Sequence, residues 1–295
     1  GGGPLGEASS IGGSPIGGRA VFARSRQGSR MRLVRGRGPD PDADRTATDA
    51  MLDRAAETAI PALRVWRPHR QVAFGRRDAS AEGFADARDA AERREYQSVV
   101  RSVGGRAVAY TGRTLAFAHA VPLDDPRRGL TDRYEGTVET VLAALGRVGV
   151  PARRGEPPRS FCPGDHSVQC PAAPIGDGAG EGPPGKVAGV AQRVRSDAAL
   201  VGGCVVVADH DGIAEVLAAV YDALGVPFDP GSVGSVALAG GPADPDVVAR
   251  ALEAAFLDVD TEAGVEDVGA TVQAAATSVE DVTTLLDRGT ADRNT

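Results

Sequence analysis

The sequence is poor in cysteine, lysine and aromatic residues, and it has no long hydrophobic run. Three cysteines among 295 residues are too few, and odd in number, for a disulfide framework. They indicate a reducing, cytoplasmic setting. No apolar run approaches the roughly 18 residues of a membrane span, so we expect a soluble chain. Acidic residues outnumber basic ones by 40 to 33, and the net charge of −7 argues against a nucleic-acid binder.

The remaining composition, 42% hydrophobic and 25% charged, is that of an ordinary globular protein. It excludes a largely disordered chain, a collagen and a coiled coil. Residues 1–30 are rich in glycine and arginine without sustained periodicity, and we interpret them as a disordered leader. Residues 31–256 carry the structured patterns of one domain. Residues 257–295 form an acidic tail with helical period only around 279–286, and we expect both ends to be dispensable for the core.

Strand and helix patterns alternate from residue 31 onward, with hairpin-like strand pairs. This mixture predicts an α+β domain, not a doubly wound parallel sheet. Residues 170–185 are rich in proline and glycine and predict a loop. The predicted strands are 31–34, 63–66, 71–74, 99–101, 107–110, 114–121, 186–194 and 198–207. The predicted helices are 42–59, 82–95, 134–148, 212–224 and 244–256.

Lys186 is the only lysine among the 33 basic residues. A compact ammonium is not interchangeable with a planar guanidinium, so this lysine stands where arginine would not serve, unless it survived by chance. It opens a predicted strand that continues with small residues, including Gly189 and Ala191. Small side chains let a ligand lie against the backbone, and the lysine would stabilise negative charge on it.

Gly104 and Gly105 form a second candidate site between two predicted strands. A glycine pair allows a turn that directs successive N–H groups at an anion. Arg101 and Arg106 flank the pair and supply charge and bidentate hydrogen bonds. The alternative is an ordinary hairpin turn with solvated arginines.

Cys162 precedes a Pro-Gly turn, which favours an accessible thiol. Lys186 or His166 nearby would lower its pKa and make it a nucleophile; the alternative is an inert thiol. Cys162, His166 and Cys170 also have a C-x3-H-x3-C spacing, with Cys204 as a fourth candidate zinc ligand. Pro163 and Gly164 exclude the helix that would align these ligands, so we expect no metal site.

Two motifs together resemble the lipoate–protein ligase and octanoyltransferase superfamily. They are Arg101-x2-Gly-Gly-Arg-Ala-Val and, about 80 residues later, Lys186-Val-Ala-Gly-x-Ala-Gln-Arg. The resemblance covers roughly 31–256 and implies the biotin/lipoate ligase catalytic domain, with a mixed, largely antiparallel sheet and flanking helices. Tyr110 and Val100 depart from the family, which often has His and Arg there. The 170–185 loop is also longer than usual.

The resemblance implies roles for these residues. Lys186 would hold the acyl carbonyl and an α-phosphate oxygen, and the following strand would wall the acyl tunnel. The turn would bind the acyl carboxyl and, in ligases, the nucleotide phosphate. The implied substrate- or ATP-binding residues are Arg101, Gly104, Gly105, Arg106, Ala107, Gly189 and Ala191.

Three functions remain open on this resemblance. A ligase would use ATP, Mg²⁺ and lipoate to make lipoyl-AMP, which a carrier lysine then attacks. An octanoyltransferase would instead take the acyl group from acyl carrier protein through a thioester on Cys162, without ATP. A non-enzymatic acyl binder is disfavoured by the retained Lys186. The implied acceptors are the lipoyl domain of a 2-oxoacid dehydrogenase E2 or the glycine-cleavage H protein. The clear motif pair favours the ligase, since the position of Cys162 matches the transferase only in part.

We expect Lys186→Arg to abolish acyl transfer while leaving the fold intact. The guanidinium is larger, planar and differently hydrated, so it cannot replace a point charge between oxygen atoms. Loss of one charge-stabilising donor lowers rates by ~10²–10³. Acyl transfer to a lipoyl domain, measured by intact mass, checks this, and near-wild-type activity would contradict it.

Overall fold

The computed structural model describes residues 30–101, 104–172, 182–257 and 262–268. The predicted leader up to residue 29, the middle of the 170–185 loop and the helical period around 279–286 lie outside these ranges. Within them, no helix is both long enough and apolar enough to cross a membrane.

Strands and helices follow each other along the described chain in nearly the predicted order. The strands are β1 (Arg30–Arg35), β2 (Ala62–Trp66), β3 (Gln71–Phe74), β4 (Gln97–Val100), β5 (Val108–Tyr110), β6 (Thr114–Pro122), β7 (Arg153–Arg154), β8 (Ser167–Ala172), β9 (Gly182–Val194), β10 (Ala198–Val206) and β11 (Glu262–Asp267). The α-helices are α1 (Pro41–Thr58), α2 (Arg76–Ala79), α3 (Phe84–Glu92), α4 (Leu130–Arg147), α5 (His210–Ala223) and α6 (Pro245–Phe256).

The described strands form two sheets. The larger has the order β11-β1-β2-β6-β10-β9-β8-β7, and the smaller has the order β4-β3-β5. In the larger sheet β1 runs parallel to β2 and β11, whereas every other neighbouring pair is antiparallel. The predicted α+β class with a mixed, largely antiparallel sheet is therefore confirmed.

Local capping chemistry fixes where α1 and α6 begin. The Asp40 carboxylate accepts a hydrogen bond from the Ala43 amide at 2.8 Å, and Pro41 occupies the first turn of α1. Asp244 and Pro245 play the same parts at the start of α6. A capping acid followed by proline satisfies a free amide and pre-sets the helical φ, which explains why the predicted starts are within one residue.

The larger sheet has one face covered by helices and another that borders the site. Valine and leucine side chains of α4 and α6 pack with Leu115, Phe117 and Val205 in one core cluster. Because neighbouring strand residues point to opposite faces, Ala116 and Ala118 face the other way. On that side α1 covers Ala118, Ala120 and Leu200. The smaller sheet packs with α3 and α5 in a third cluster.

Three strands have no counterpart in the prediction: the two-residue β7, β8 and β11. No strand is predicted over 159–169, and the end of β8 and the start of β9 occupy positions predicted as loop within 170–185; the pairing of β8 with β9 has two register shifts. β11 lies in the predicted acidic tail, yet it pairs along its six residues with β1. In β8 only Val168 and Cys170 alternate into the core before a proline follows, so the strand pattern is short, and β11 is held to β1 by backbone pairing. The boundary predicted at residue 256 therefore falls short of the edge of the sheet.

We expect removal of residues 257–295 to lower the Tm, contrary to the expectation that this segment is dispensable. The truncation exposes the β1 edge and removes Val268, which is buried against Val34. Burying a valine is worth ~1.5 kcal/mol or more, and a kilocalorie shifts Tm by ~2–4 °C at this size, so we expect a loss of about 3–6 °C. Removing only 269–295 is the control. Equal Tm values for the two truncations, by calorimetry, would contradict the prediction.

Candidate active site

Small residues of three adjacent strands form the floor of a cavity. Directly opposed residues on neighbouring antiparallel strands share a face, so the register aligns the floor residues in two rungs. One rung runs from β6 through β10 to β9 and the other lies beside it. The floor residues are Ala118, Gly202 and Ala191 in the first rung and Ala116, Cys204 and Gly189 in the second.

The backbones of β9 and β10 lie so close beside the floor that Gly203 cannot carry a side chain. A Cβ on Gly203 would lie 2.4 Å from the Gly189 carbonyl oxygen and 2.6 Å from Cζ of Phe117. Both distances are shorter than van der Waals contact allows, so any side chain there would push β9 and β10 apart.

The cavity above this floor has a volume of about 530 Å³. Trp66 and Tyr110 contribute aromatic walls, and residues at the start of α1 border one side. This volume is within the usual range of small-molecule sites, which are mostly apolar with a few polar groups. Its lining suits a flexible hydrocarbon chain.

Cys162 projects into the cavity from the connection between β7 and β8, residues 155–166, which we call the Cys162 loop. Its φ of 41° lies in the left-handed region, which is uncommon for residues other than glycine and clusters at functional sites. Its amide donates to the Tyr221 hydroxyl at 2.6 Å. That hydroxyl in turn donates to the Ala107 carbonyl at 3.1 Å. The buried Tyr221 thus fixes the unusual backbone.

The Cys162 thiol faces positive charge and backbone N–H groups. Its Sγ accepts a hydrogen bond from the Arg101 guanidinium at 3.3 Å and another from the Arg106 amide at 3.4 Å. Burial alone raises the pKa of this thiol, but the Arg101 charge, the Arg106 amide and the Lys186 charge outweigh it, and the pKa is lowered. A lowered pKa favours the nucleophilic thiolate.

At the other two cysteines the effect of burial prevails, although the Lys186 and Arg101 charges also act on Cys204. Burial raises the pKa of Cys170 to about 11 and also raises the pKa of Cys204. Cys204 borders the cavity, whereas Cys170 lies in the hydrophobic core. Within the described ranges, no three His, Cys, Asp or Glu side chains come close enough to hold a metal ion.

Lys186 lies at the cavity wall with 1% of its side chain exposed. Its ammonium donates to the Cys162 carbonyl at 2.8 Å, to the Phe161 carbonyl at 2.9 Å and to the Glu156 carboxylate at 3.1 Å. An ammonium has three N–H donors, and all three are used within the chain. A larger guanidinium would not fit among these acceptors.

The glycine turn contributes part of the cavity wall. Gly104 has φ of +92°, and a Cβ there would lie 2.5 Å from the Arg101 guanidinium, so both backbone and space require glycine. Gly105 faces open space. The Arg106 side chain points away and pairs with buried Asp78 at 3.0 Å, and Ala107 is fully buried behind the wall.

The structure therefore brings most of the predicted site residues to one cavity. The residues that border it are Arg101, Gly104, Gly105, Cys162, Lys186, Gly189 and Ala191. Arg106 reaches Cys162 only through its amide. His166 also borders the cavity, where it stacks on Tyr134 at 3.9 Å between ring centroids, and its Nδ1 has no hydrogen-bond partner among the described residues.

Sequence reasoning missed Glu156, Tyr221 and Asp78, each of which holds a site element. Asp78 and Tyr221 belong to helices with no motif, so their roles depend on contacts across the fold. Glu156 is the one acid between Thr140 and Gly164, and this isolation near Cys162 was the only available signal.

Comparison with known sequences identifies a family. The model of the lipoyl protein ligase A/B catalytic domain matches residues 42–256. An octanoyl-[GcvH]:protein N-octanoyltransferase of Oceanobacillus iheyensis is 28% identical over 112 residues. That match covers 38% of this chain and spans only 40% of the length of the relative.

Solved structures share the fold. Lipoate-protein ligase A bound with ATP has a TM-score of 0.63 and 20% identity, covering 85% of this chain and 94% of that one. A bi-partite lipoate protein ligase from Thermoplasma acidophilum, described with its E2 lipoyl domain, has a TM-score of 0.61 and 20% identity. It covers 85% of this chain and 92% of the other.

We expect Arg101→Gln to move the pH midpoint of Cys162 alkylation upward. Only the thiolate is alkylated, so the rate rises with pH through the thiol pKa and then levels off. Loss of the guanidinium charge raises that pKa and lowers the rate at pH 7. Iodoacetamide labelling of Cys162, read by peptide mass, measures the labelling rate as a function of pH. Arg88→Gln is the control, because the Arg88 side chain lies on the exposed face of α3. An unchanged midpoint would show that Arg101 does not set the thiol pKa.

Proposed function

Because the chain belongs to the family of lipoyl protein ligase A/B catalytic domains, we propose that it transfers an octanoyl-type acyl group through a thioester on Cys162. The acceptor is a lysine amine of a lipoyl carrier domain. The family comprises ligases and acyltransferases, so the chain is an enzyme of one of these kinds. The choice of the transferase differs from the slight preference that the motifs alone give to the ligase.

The observation that carries this choice is the environment of the Cys162 thiol. It lies in the cavity, it accepts hydrogen bonds from Arg101 and the Arg106 amide, and its pKa is lowered while those of the other two cysteines are raised. A ligase forms a mixed anhydride and needs no such thiolate. A transferase needs a nucleophile that holds the acyl group between donor and acceptor.

The first step loads the enzyme. The Cys162 thiolate attacks the acyl carbonyl of a donor thioester, the new Sγ–C bond forms, and the donor thiolate leaves and takes up a proton. Negative charge develops on the carbonyl oxygen during this step. The Arg106 amide and the Arg101 guanidinium, which already point at Sγ, are the nearest donors for that charge. The hydrocarbon chain lies on the small-residue floor.

The second step transfers the acyl group. An unprotonated carrier lysine amine attacks the thioester, the amide bond forms, and the Sγ–C bond breaks to return the Cys162 thiolate. The amine proton released in this step passes to solvent. Lys186, through its contacts with the Phe161 and Cys162 carbonyls, holds the loop that carries the nucleophile in both steps.

The proposed acceptor is an E2 lipoyl domain or the glycine-cleavage H protein. The name of the Oceanobacillus relative gives octanoyl-GcvH as its donor, and the Thermoplasma ligase is described with an E2 lipoyl domain. Acyl carrier protein is the second donor that we propose to test. With the amide donor the thiolate forms the same Sγ–C bond while the C–N bond breaks, and the donor lysine amine takes up a proton from solvent as it leaves.

The second candidate is the ATP-dependent lipoate ligase, which the glycine turn favours. Open space beside Gly105 and the nearby Arg101 charge would accept a phosphate group of ATP as substrate. Against it, the Lys186 ammonium already donates all three of its hydrogen bonds within the chain. ATP, Mg²⁺ and lipoate therefore enter the experiment as the competing substrates.

We expect Cys162→Ser to abolish ATP-independent octanoylation of an apo-lipoyl domain, by on the order of 10³-fold or more, as loss of a covalent nucleophile does. Octanoyl acyl carrier protein and octanoyl-GcvH are supplied in separate reactions, and intact mass reads both the product and the acyl-enzyme. The wild-type enzyme should show a hydroxylamine-sensitive octanoyl adduct on Cys162.

Cys170→Ala is the matched control and should keep the adduct and the activity. A third reaction contains lipoate, ATP and Mg²⁺ in place of an octanoyl donor. If Cys162→Ser retains lipoylation in that reaction, and no adduct forms on the wild-type enzyme, the chain is a ligase and our choice is wrong.

A further inference from the structure

Glu156 stands at the start of the Cys162 loop and contacts its far end. Its Oε2 accepts a hydrogen bond from the Gly164 amide at 3.1 Å and another from the Ser167 hydroxyl. Its Oε1 accepts from the Ser160 hydroxyl. The Gly155 amide also donates to the Ser167 carbonyl at 3.0 Å. One carboxylate therefore ties together the beginning, middle and end of the loop.

Among the described residues, the same carboxylate is the only anionic partner of Lys186, at 3.1 Å. An ammonium that is almost fully buried needs a compensating charge as well as hydrogen bonds. The two carbonyls that share Lys186 belong to Phe161 and Cys162. Glu156 thus holds the loop in two ways: directly, and through the lysine that grips the nucleophile's own backbone.

This arrangement fixes the Cys162 thiol against its two donors. The thiol meets Arg101 and the Arg106 amide only while the loop keeps the left-handed backbone at Cys162. That backbone is strained and persists only where the surroundings hold it. Tyr221 holds the amide of Cys162, and the Glu156–Lys186 pair holds the carbonyl. Glu156 itself makes no contact with the thiol.

We propose that Glu156 is a positioning residue, which keeps the Cys162 thiol against the Arg101 guanidinium and the Arg106 amide by closing the Cys162 loop and pairing with Lys186. The importance of this for catalysis rests on the proposed function of Cys162. The placement of the thiol can be tested without acyl transfer, since alkylation reports the thiolate directly.

The direction of the pH shift separates positioning from the direct effect of the carboxylate charge, and serine variants that keep both charges separate it from a loss of charge on Lys186. Removing a carboxylate charge from the neighbourhood would by itself favour the thiolate and lower the midpoint of alkylation. Loosening the loop withdraws the thiol from Arg101 and Arg106 and raises the midpoint. For Glu156→Gln we expect an upward shift of about one pH unit, and so about tenfold slower labelling of Cys162 by iodoacetamide at pH 7.

Glu139→Gln is the control, because Glu139 is exposed and pairs with Arg154 on the surface; its midpoint should equal that of the wild type. Ser160→Ala and Ser167→Ala remove ties to the same carboxylate while leaving both charges in place. We expect each to slow labelling at pH 7 by about threefold. These two variants keep the test informative if Glu156→Gln does not fold, as judged by its melting curve.

An unchanged or lowered midpoint in Glu156→Gln, or wild-type labelling in both serine variants, would overturn the proposal. In acyl transfer, kcat should fall with the midpoint shift while KM for the carrier stays constant. If the wild type forms no Cys162 adduct but the midpoint still rises in the variants, the proposed function fails and the positioning role stands. If the adduct forms and the midpoint does not move, only the positioning role fails.

Discussion

The buried ammonium of Lys186 is the interaction on which the geometry of the site depends. The Lys186 side chain extends from β9 of the larger sheet, and its ammonium lies among two carbonyls and a carboxylate of the Cys162 loop. Full burial removes water as a competing partner, so each of these contacts is stronger than it would be at the surface, and an unpaired charge there would be costly. The sheet, which is rigid, thereby fixes a loop that has no regular structure of its own.

The floor of the cavity depends on a steric constraint, namely that its side chains must be small. Alanine and glycine in two rungs across β6, β10 and β9 leave room for a ligand, while Phe117 and its neighbours point to the opposite face and fill the core. The alternation of strand side chains lets one strand serve both purposes. Position 203 must be glycine, since the Gly189 carbonyl oxygen lies too close for any side chain there.

Electrostatics then distinguishes three chemically identical thiols. All three cysteines lose hydration on burial, and this loss by itself would raise the pKa of each thiol. At Cys162 the Arg101 guanidinium and the Arg106 amide donate to the sulfur and the pKa falls, whereas at Cys204 burial outweighs the Lys186 and Arg101 charges. The difference lies entirely in partners from distant parts of the chain. Arg101 is 61 residues from Cys162, and Tyr221, which fixes the cysteine backbone, is 59 residues away.

The sequence by itself determined the α+β class, nearly all of the long elements and the motif pair around Gly104 and Lys186, because caps, periodicity and glycine requirements are local. It could not determine β11 or the residues that hold the Cys162 loop in place. Strand β11 is held by backbone pairing with β1, which leaves no side-chain pattern to recognise. Glu156 and Tyr221 gain their roles only when folding brings them to Lys186 and Cys162, since hydrogen bonds across the fold have no signature in sequence spacing. The tertiary structure alone decided which thiol faces positive charge.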